Sequence, residues 1–509
     1  MAAASHSIAF NTLVLWARIA ATMAATIFAT RFALLALGVD AFGVYAAIAS
    51  LPLMLGFLTG AMGAVTQRML ASGLAKEPSG MRRIFNASLG PHLAIALLIV
   101  AAGETLGVWL LENALSMPDE LRGSARIALR ISVAAAALGA FLAPYETLLQ
   151  TRERFAPFAV LDIFRSLIVL IGSWMLLDYS GDRLLGYATV QAAAAASAML
   201  IGSLIAAWQY PESRLRPLQM IDRSELRQRL GLFSWTIFGS LATIARIQGF
   251  VVLANVLFGP AASAALGVGN QLIGVLRQLS TAVSQAVTPK IYMIEAAGER
   301  SQMIGAALLA CKYAGLIGAI LAAPLMIELP TVLGLWLGSP PPGASEAIAL
   351  LTIAFLLDQL SYSIGVAHLA IGRIALYQLV CGLVTIAALP LGYVAAKLGG
   401  GLPDALTALI TTSGLVAVLR LFLLETHSPG AVRSWLRTTT APVTFAFGAG
   451  LLAGLAVASL LEPSFARVIA TTIASSAALL AVTYVSLDTL EKTTLETLIL
   501  RRLFRGTAR

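Results

Sequence analysis

Charge is what this chain has least of. Only 12% of its 509 residues are Asp, Glu, Lys or Arg, where a soluble globular protein carries about 25%. A chain this poor in charge cannot clothe itself in a solvated surface. Cysteine is nearly absent too. Cys311 and Cys381 stand alone inside apolar runs, with no CxxC or Cys/His grouping, which leaves neither a disulfide framework nor a zinc site. There is no Walker loop, no GxSxG elbow and no paired-Asp constellation, so no catalytic residue, metal or cofactor is expected and the chain does not read as an enzyme. The N-terminus lacks the basic n-region of a secretory signal and is followed by further apolar runs, so it reads as a first membrane helix. The formal net charge of +9 does not indicate nucleic acid, because the bases are scattered through short loops instead of forming one basic face.

What is there is apolar length: 59% of the residues are hydrophobic. A membrane-crossing helix needs about 20 such residues. The runs fall roughly at 8–37, 42–66, 89–111, 127–150, 157–177, 184–208, 230–257, 261–289, 303–327, 347–370, 373–396, 406–424, 440–461 and 466–487. Fourteen spans predict an all-α polytopic membrane protein with both termini on one side. Twenty-one of the 34 Lys and Arg fall in one set of alternate connections and five in the other, and an excess of bases marks the cytoplasmic side. Both termini are therefore expected in the cytoplasm. The longest connection on the opposite side, 328–346, contains Pro340, Pro341 and Pro342 and no base, too little for an external catalytic domain.

Three short correspondences recur in the same order. Leu37-Gly38-Val39 matches Phe258-Gly259-Pro260, and Ala64-Val65-Thr66-Gln67-Arg68 matches Ala286-Val287-Thr288-Pro289-Lys290. Leu106-Gly107-Val108-Trp109-Leu110 matches Leu333-Gly334-Leu335-Trp336-Leu337, and the offset drifts only from 221 to 227 residues. Such a repeat predicts two pseudo-symmetric six-helix bundles related by an axis along the membrane normal. The expected organisation is an N-terminal lobe at 1–208, a cytoplasmic linker at 209–229 and a C-terminal lobe at 230–424. Two additional helices follow at 425–487, then a basic cytoplasmic tail at 488–509. In the tail, Leu490, Leu495, Leu498 and Leu503 lie among Lys492, Arg501, Arg502 and Arg505, which suits either an interfacial helix on an anionic leaflet or a solvated tail.

Eight bases remain inside the runs: Arg18, Arg31, Arg130, Arg165, Arg246, Arg277, Lys312 and Arg420, against Glu104, Glu146, Asp162 and Asp358. A charge at the bilayer centre costs about 2.5–3.5 kcal/mol on insertion scales, so each needs a reason to be there. Arg420 and Arg130 lie near the ends of their runs and are expected to snorkel, and Asp162 and Arg165 are three apart and are expected to compensate each other. Arg18, Arg31, Arg246, Arg277 and Lys312 have no acid at helical spacing, so they point to a water-filled cavity or to acids on other spans. At 100° per residue, Asn270, Arg277, Thr281 and Ser284 share an arc of about 60°, with Gln271, Gln278 and Gln285 adjoining. Thr236, Thr243 and Arg246 share about 80°. Forked guanidinium donors suit phosphate oxygens, while amides and hydroxyls suit sugar hydroxyls, so Arg18, Arg31, Arg246, Asn270, Arg277, Gln278 and Lys312 are the candidate substrate-binding residues. Glu104 and Asp358 are candidate ion-coupling residues, and Asp358 and His368, ten apart, fall within about 80°, so that a proton relay is conceivable.

The two six-helix bundles, the Leu-Gly-x-x-x-Phe-Gly-Val-Tyr stretch from Leu37 to Tyr45, Leu335-Trp336-Leu337-Gly338, the Gly372-Arg373 pair and the two extra C-terminal helices together resemble the Wzx-type polysaccharide flippases. These belong to the multidrug/oligosaccharidyl-lipid/polysaccharide exporter superfamily, with the MATE drug exporters and the lipid II flippases. The resemblance implies translocation of an undecaprenyl-pyrophosphate-linked oligosaccharide across the bacterial inner membrane, for O-antigen or exopolysaccharide synthesis, by alternating access through a cationic lumen. It also implies a polyprenyl-pyrophosphate-linked glycan and other polysaccharide-assembly proteins as partners in the lipid bilayer. The chain departs from the lipid II flippases in having no base in its second span, and from the MATE pattern in placing Asp40 outside the first. A cation-coupled MATE-type exporter and a membrane polysaccharide polymerase or ligase are the competing readings.

Overall fold

Inside a bilayer no water reaches the backbone, so each N–H and C=O must bond within its own segment, and isolated apolar runs can cross only as helices. The computed structural model describes residues 2–76, 80–152, 155–216, 234–372, 374–489 and 491–493, and among these there are helices and turns but no strand. The order begins with α1 (Ala2–Met54), α2 (Gly56–Lys76) and α3 (Met81–Ala102), which passes through a single π turn (Gly103–Gly107) into α4 (Val108–Asn113). It continues with α5 (Asp119–Thr151), α6 (Phe155–Met175), α7 (Arg183–Gln209), α8 (Ser234–Phe258), α9 (Pro260–Ala296) and α10 (Arg300–Leu337). α11 (Ala344–Gln359) and α12 (Tyr362–Ile371) are the halves of one interrupted helix. α13 (Ile374–Lys397), α14 (Leu402–Glu425), α15 (Ala431–Trp435), α16 (Ala441–Leu460) and α17 (Phe465–Val485) complete the order.

Eleven stretches among the described residues are long and apolar enough to cross a membrane, against the fourteen expected. The difference is local. Residues 18–74 form one 57-residue stretch, α9 is not among the eleven because its polar stripe dilutes its apolarity, and α6 is described in full only from Ala159 onward, too short a stretch to be counted. The expected connection at 328–346 also shrinks, because α10 continues to Leu337 through Pro324 and Pro330; neighbouring segments in a bundle re-satisfy the carbonyls a proline frees. The tail residues 494–509, linker residues 217–229 and Arg373 lie outside the described residues, so the expected interfacial helix falls largely outside them.

Gly38 and Gly259, paired by the repeat, both adopt positive φ, at 73° and 87°, a half of backbone space that costs a residue with a Cβ about 1–3 kcal/mol. Five residues beyond Gly38, a Cβ at Gly43 would lie 1.9 Å from the Pro260 carbonyl oxygen. α1 and the start of α9 therefore meet backbone to backbone, and Ser263 Oγ seals the approach by donating to the Gly43 carbonyl at 2.9 Å. Close approach over a small residue is how membrane helices gain dispersion energy where lipid supplies no hydrophobic drive.

The chain divides into two compact units. The first comprises residues 1–271, 336–347 and 378–412, the second 272–335, 348–377 and 413–509. The first has a core around Val44, Ile48, Leu111 and Leu129 and another around Met69, Phe85 and Leu148. The second centres on Ile304, Leu308, Ile364, Leu424 and Trp435. Leu97, Trp109, Phe422, Phe445 and Leu452 stay more than half exposed, which suits contact with lipid.

Candidate functional site

In the first unit, Arg18 on α1 donates through Nη1 to Asp162 Oδ2 on α6 at 2.8 Å. This replaces the expected compensation of Asp162 by Arg165 with an interhelical pair. Arg165 instead lines a cavity with Glu146 and Asp162. Arg31, further along α1, donates from Nη1 to the Trp336 carbonyl at 2.9 Å, and Trp336 Nε1 donates back to the Ile27 carbonyl at 2.7 Å. The tryptophan of the Leu-Trp-Leu-Gly stretch is thus clasped to α1. Arg246 on α8 is 7% exposed. Asn270 is half-buried, and its neighbour Gln271 accepts a hydrogen bond from Thr30 Oγ1, so part of the amide stripe on α9 serves to join helices.

Glu104 sits in the π turn after α3. Its carboxylate receives Arg130 Nε at 3.2 Å and Nη2 at 3.1 Å from α5. Arg130 therefore does not simply snorkel, and Glu104, expected as an ion-coupling residue, is a counter-ion to it. One-turn π insertions recur at functional sites, and this one carries Glu104.

In the second unit, α9 bears Arg277, half-buried, with Gln278 and Gln285 exposed one heptad apart. Ser284, expected on the same polar face, is buried and accepts from Ser363 Oγ at 2.8 Å. Lys312 on α10 lies against the segment that follows α17. Its Nζ donates to Glu491 Oε2 at 2.7 Å and Oε1 at 3.0 Å, and the two side chains are 5% and 13% exposed. Tyr313 Oη and the Asp488 N–H also donate to this carboxylate. Burial pushes the Glu491 carboxyl up, but the bonds from Lys312 and the Asp488 backbone outweigh it and hold it below the usual carboxylate range.

The proposed face shared by Asp358 and His368 does not survive. α11 ends at Gln359 and α12 begins at Tyr362, so 100° per residue cannot be carried across the break. Three other elements stitch the interruption. Trp435 Nε1 donates to the Leu360 carbonyl at 2.7 Å and Arg420 Nη1 to Ser361 Oγ at 3.1 Å. The Ser363 hydroxyl reaches Ser284 at 2.8 Å. His368 bonds to the Arg420 carbonyl at 2.9 Å and stacks on Tyr377. Arg420, expected to snorkel, is part of this buried junction; Asp358 is half-buried at its edge.

One buried pair was not foreseen. Glu328, fully buried in α10, accepts Arg467 Nη2 at 2.9 Å and Nε at 3.2 Å, with Thr471 Oγ1 at 2.9 Å on its other oxygen. The available signal was topological, since both residues fall at the same expected side of the membrane.

No family model and no curated protein matches the chain. Solved structures do. An inward-facing multidrug resistance MATE family transporter of the MOP superfamily matches with a TM-score of 0.67 at 15% identity, over 81% of this chain and 96% of that one. The lipid II flippase MurJ in an inward closed conformation matches with a TM-score of 0.67 at 13% identity, over 94% and 98%. The MATE multidrug transporter DinF-BH matches with a TM-score of 0.57 at 13% identity, over 82% and 96%. All three are transporters or flippases by name, and what this chain shares with them is the fold, that of a multi-pass membrane protein built of helices.

Proposed function

We propose that the chain translocates an undecaprenyl-pyrophosphate-linked oligosaccharide across the bacterial inner membrane, by alternating access through a cationic lumen, with both termini in the cytoplasm and two six-helix lobes followed by two further helices. The observation that carries this reading is the α9 stripe: Gln278 and Gln285 are exposed and Arg277 half-buried in the middle of the helix. Exposed amides facing lipid would each leave donors and acceptors unsatisfied, so this face belongs to water or to a polar ligand. The fork of Arg277 suits pyrophosphate oxygens and the amides suit sugar hydroxyls. Arg31 and Arg246 are the other bases assigned to the headgroup; Arg18 and Lys312 are assigned to it only if the ligand displaces Asp162 and Glu491. The likeness to a lipid II flippase over nearly the whole chain supports a lipid-linked substrate, and the likeness to MATE transporters keeps a drug or metabolite exporter as the second reading.

Moving a pyrophosphate outward along a potential negative inside is favourable by about 2.3 kcal/mol per charge per 100 mV, so the potential alone can drive transport. The test uses vesicles containing the purified protein and labelled undecaprenyl-pyrophosphoryl saccharide, with the potential clamped. Transport in wild type, reduced in Arg277→Ala and only partly restored in Arg277→Lys, is expected. Normal transport by Arg277→Ala and by the corresponding Arg31 and Arg246 variants, at normal abundance, overturns the cationic-lumen mechanism.

A further inference from the structure

Between α5, α6 and α7 in the first unit lies a cavity of about 110 Å³. Glu146, Asp162, Arg165 and Ser203 bring polar groups to its lining, which they share with the small residues Ala195, Ala198 and Gly202 of α7. Charged side chains at this depth are costly, yet three of them converge on one space that small residues keep open. Asp162 is already bonded to Arg18, so the local charge is two guanidiniums against two carboxylates. A phosphate entering would meet both carboxylates, and a cation would meet both arginines. A neutral polyhydroxyl ligand meets neither conflict: its hydroxyls donate to carboxylates and accept from a guanidinium, while the leucines that complete the lining cover its C–H faces.

The acceptor capacity is present. Gln150 Nε2 reaches one oxygen of Glu146 at 3.3 Å, and a carboxylate offers about four acceptor sites.

We infer that this cavity is a subsite for one neutral sugar residue of the translocated lipid-linked glycan, an assignment that rests on the proposed function. The pyrophosphate is assigned to the bases Arg31, Arg246 and Arg277, so sugar and phosphate are recognised by different residues. Ala198 is a specificity determinant here, because its small side chain leaves the room that the sugar ring fills.

The experiment uses the full chain in lipid nanodiscs. Affinities are measured for undecaprenyl pyrophosphate and for undecaprenyl-pyrophosphoryl glucose, galactose, rhamnose and N-acetylglucosamine. Wild type should hold at least one sugar-bearing form about tenfold more tightly than the bare lipid, as expected from hydrogen bonds to charged groups. Glu146→Gln, which removes the charged acceptor, and Ala198→Leu, which fills the cavity, should each bring that ratio close to one and leave the affinity for the bare lipid unchanged. Gel filtration identifies any variant that fails to fold, and the other variant then decides. Equal affinity of wild type for the bare lipid and all four sugar forms overturns the subsite, as does a ratio retained in both variants or a parallel loss of affinity for every ligand. Wild type that binds none of the polyprenyl pyrophosphates overturns the proposed function itself, a separate result.

Discussion

The pair formed by Lys312 and Glu491 decides whether a membrane base serves the substrate or the fold, and it can be broken from either side. Lys312 Nζ contacts both oxygens of Glu491, at 2.7 and 3.0 Å, and the side chains are 5% and 13% exposed. Removing one partner of a buried pair costs about 3–5 kcal/mol because the other charge is left uncompensated, whereas replacing both with apolar residues is neutral or stabilising. Lys312→Met and Glu491→Leu alone should each lower the apparent melting temperature, measured by fluorescence-detected gel filtration after heating, and the double variant should recover most of the loss. Surface glycan display separates the roles. A double variant that is stable and exports normally makes Lys312 a structural cation, and one that is stable but silent makes it a headgroup ligand that Glu491 occupies at rest. The pair also has a pH signature. A carboxyl held below its unfolded value contributes stability fully above the ordinary range of about 4.3, and that contribution fades as pH falls through the lowered native value. The stability gap between wild type and Glu491→Leu should therefore be constant from about pH 6 to 8 and close under strong acid. Single variants as stable as wild type at neutral pH would refute the reasoning.

Gly43→Ala puts a methyl group 1.9 Å from the Pro260 carbonyl oxygen, with rigid backbone on both sides, so the protein should fall sharply in membrane abundance while Gly60→Ala, which meets nothing within 4 Å, should not. Arg467→Ala leaves the fully buried Glu328 carboxylate without its cation and should cost about 3–5 kcal/mol, with Arg467→Lys restoring only part in thermal unfolding. Arg420→Ala should also destabilise, by about 1–3 kcal/mol, because the Ser361 hydroxyl loses its donor; unchanged stability would return Arg420 to a snorkelling role. Reporter fusions after Leu177 and Arg509 should give opposite orientations, and identical orientations would sink the proposed topology.

The apolar runs were legible because the period and length of a membrane helix are set by its own residues: a bilayer demands about 20 apolar positions and a bonded backbone. The breaks were legible only in part. Gly38 and Gly259 stand in repeated motifs and both turn with positive φ. The interruption between Gln359 and Tyr362 has no glycine or proline to announce it, because Trp435 and Arg420 on other helices bond to the residues of the break. Nothing within the segment itself encodes that support.

Charge was the hardest part to read, for a related reason. Helical spacing identifies partners three or four residues apart, but the pairs in this fold lie 144 residues apart for Arg18 and Asp162, 179 for Lys312 and Glu491 and 139 for Arg467 and Glu328. Whether two such groups meet depends on the rotation and depth of two separate helices, and periodicity fixes neither. Both Glu491 and Glu328 lie outside the runs that the sequence marks as membrane-embedded, so a charge count confined to those runs overstates the positive excess. A base that looks uncompensated within its own span is a candidate ligand only after acids from the segments just beyond the spans have been placed. By that standard, the assignment of Lys312 to substrate weakens, and that of Arg277 rests on the exposed amides of Gln278 and Gln285 beside it, which lipid could not accommodate.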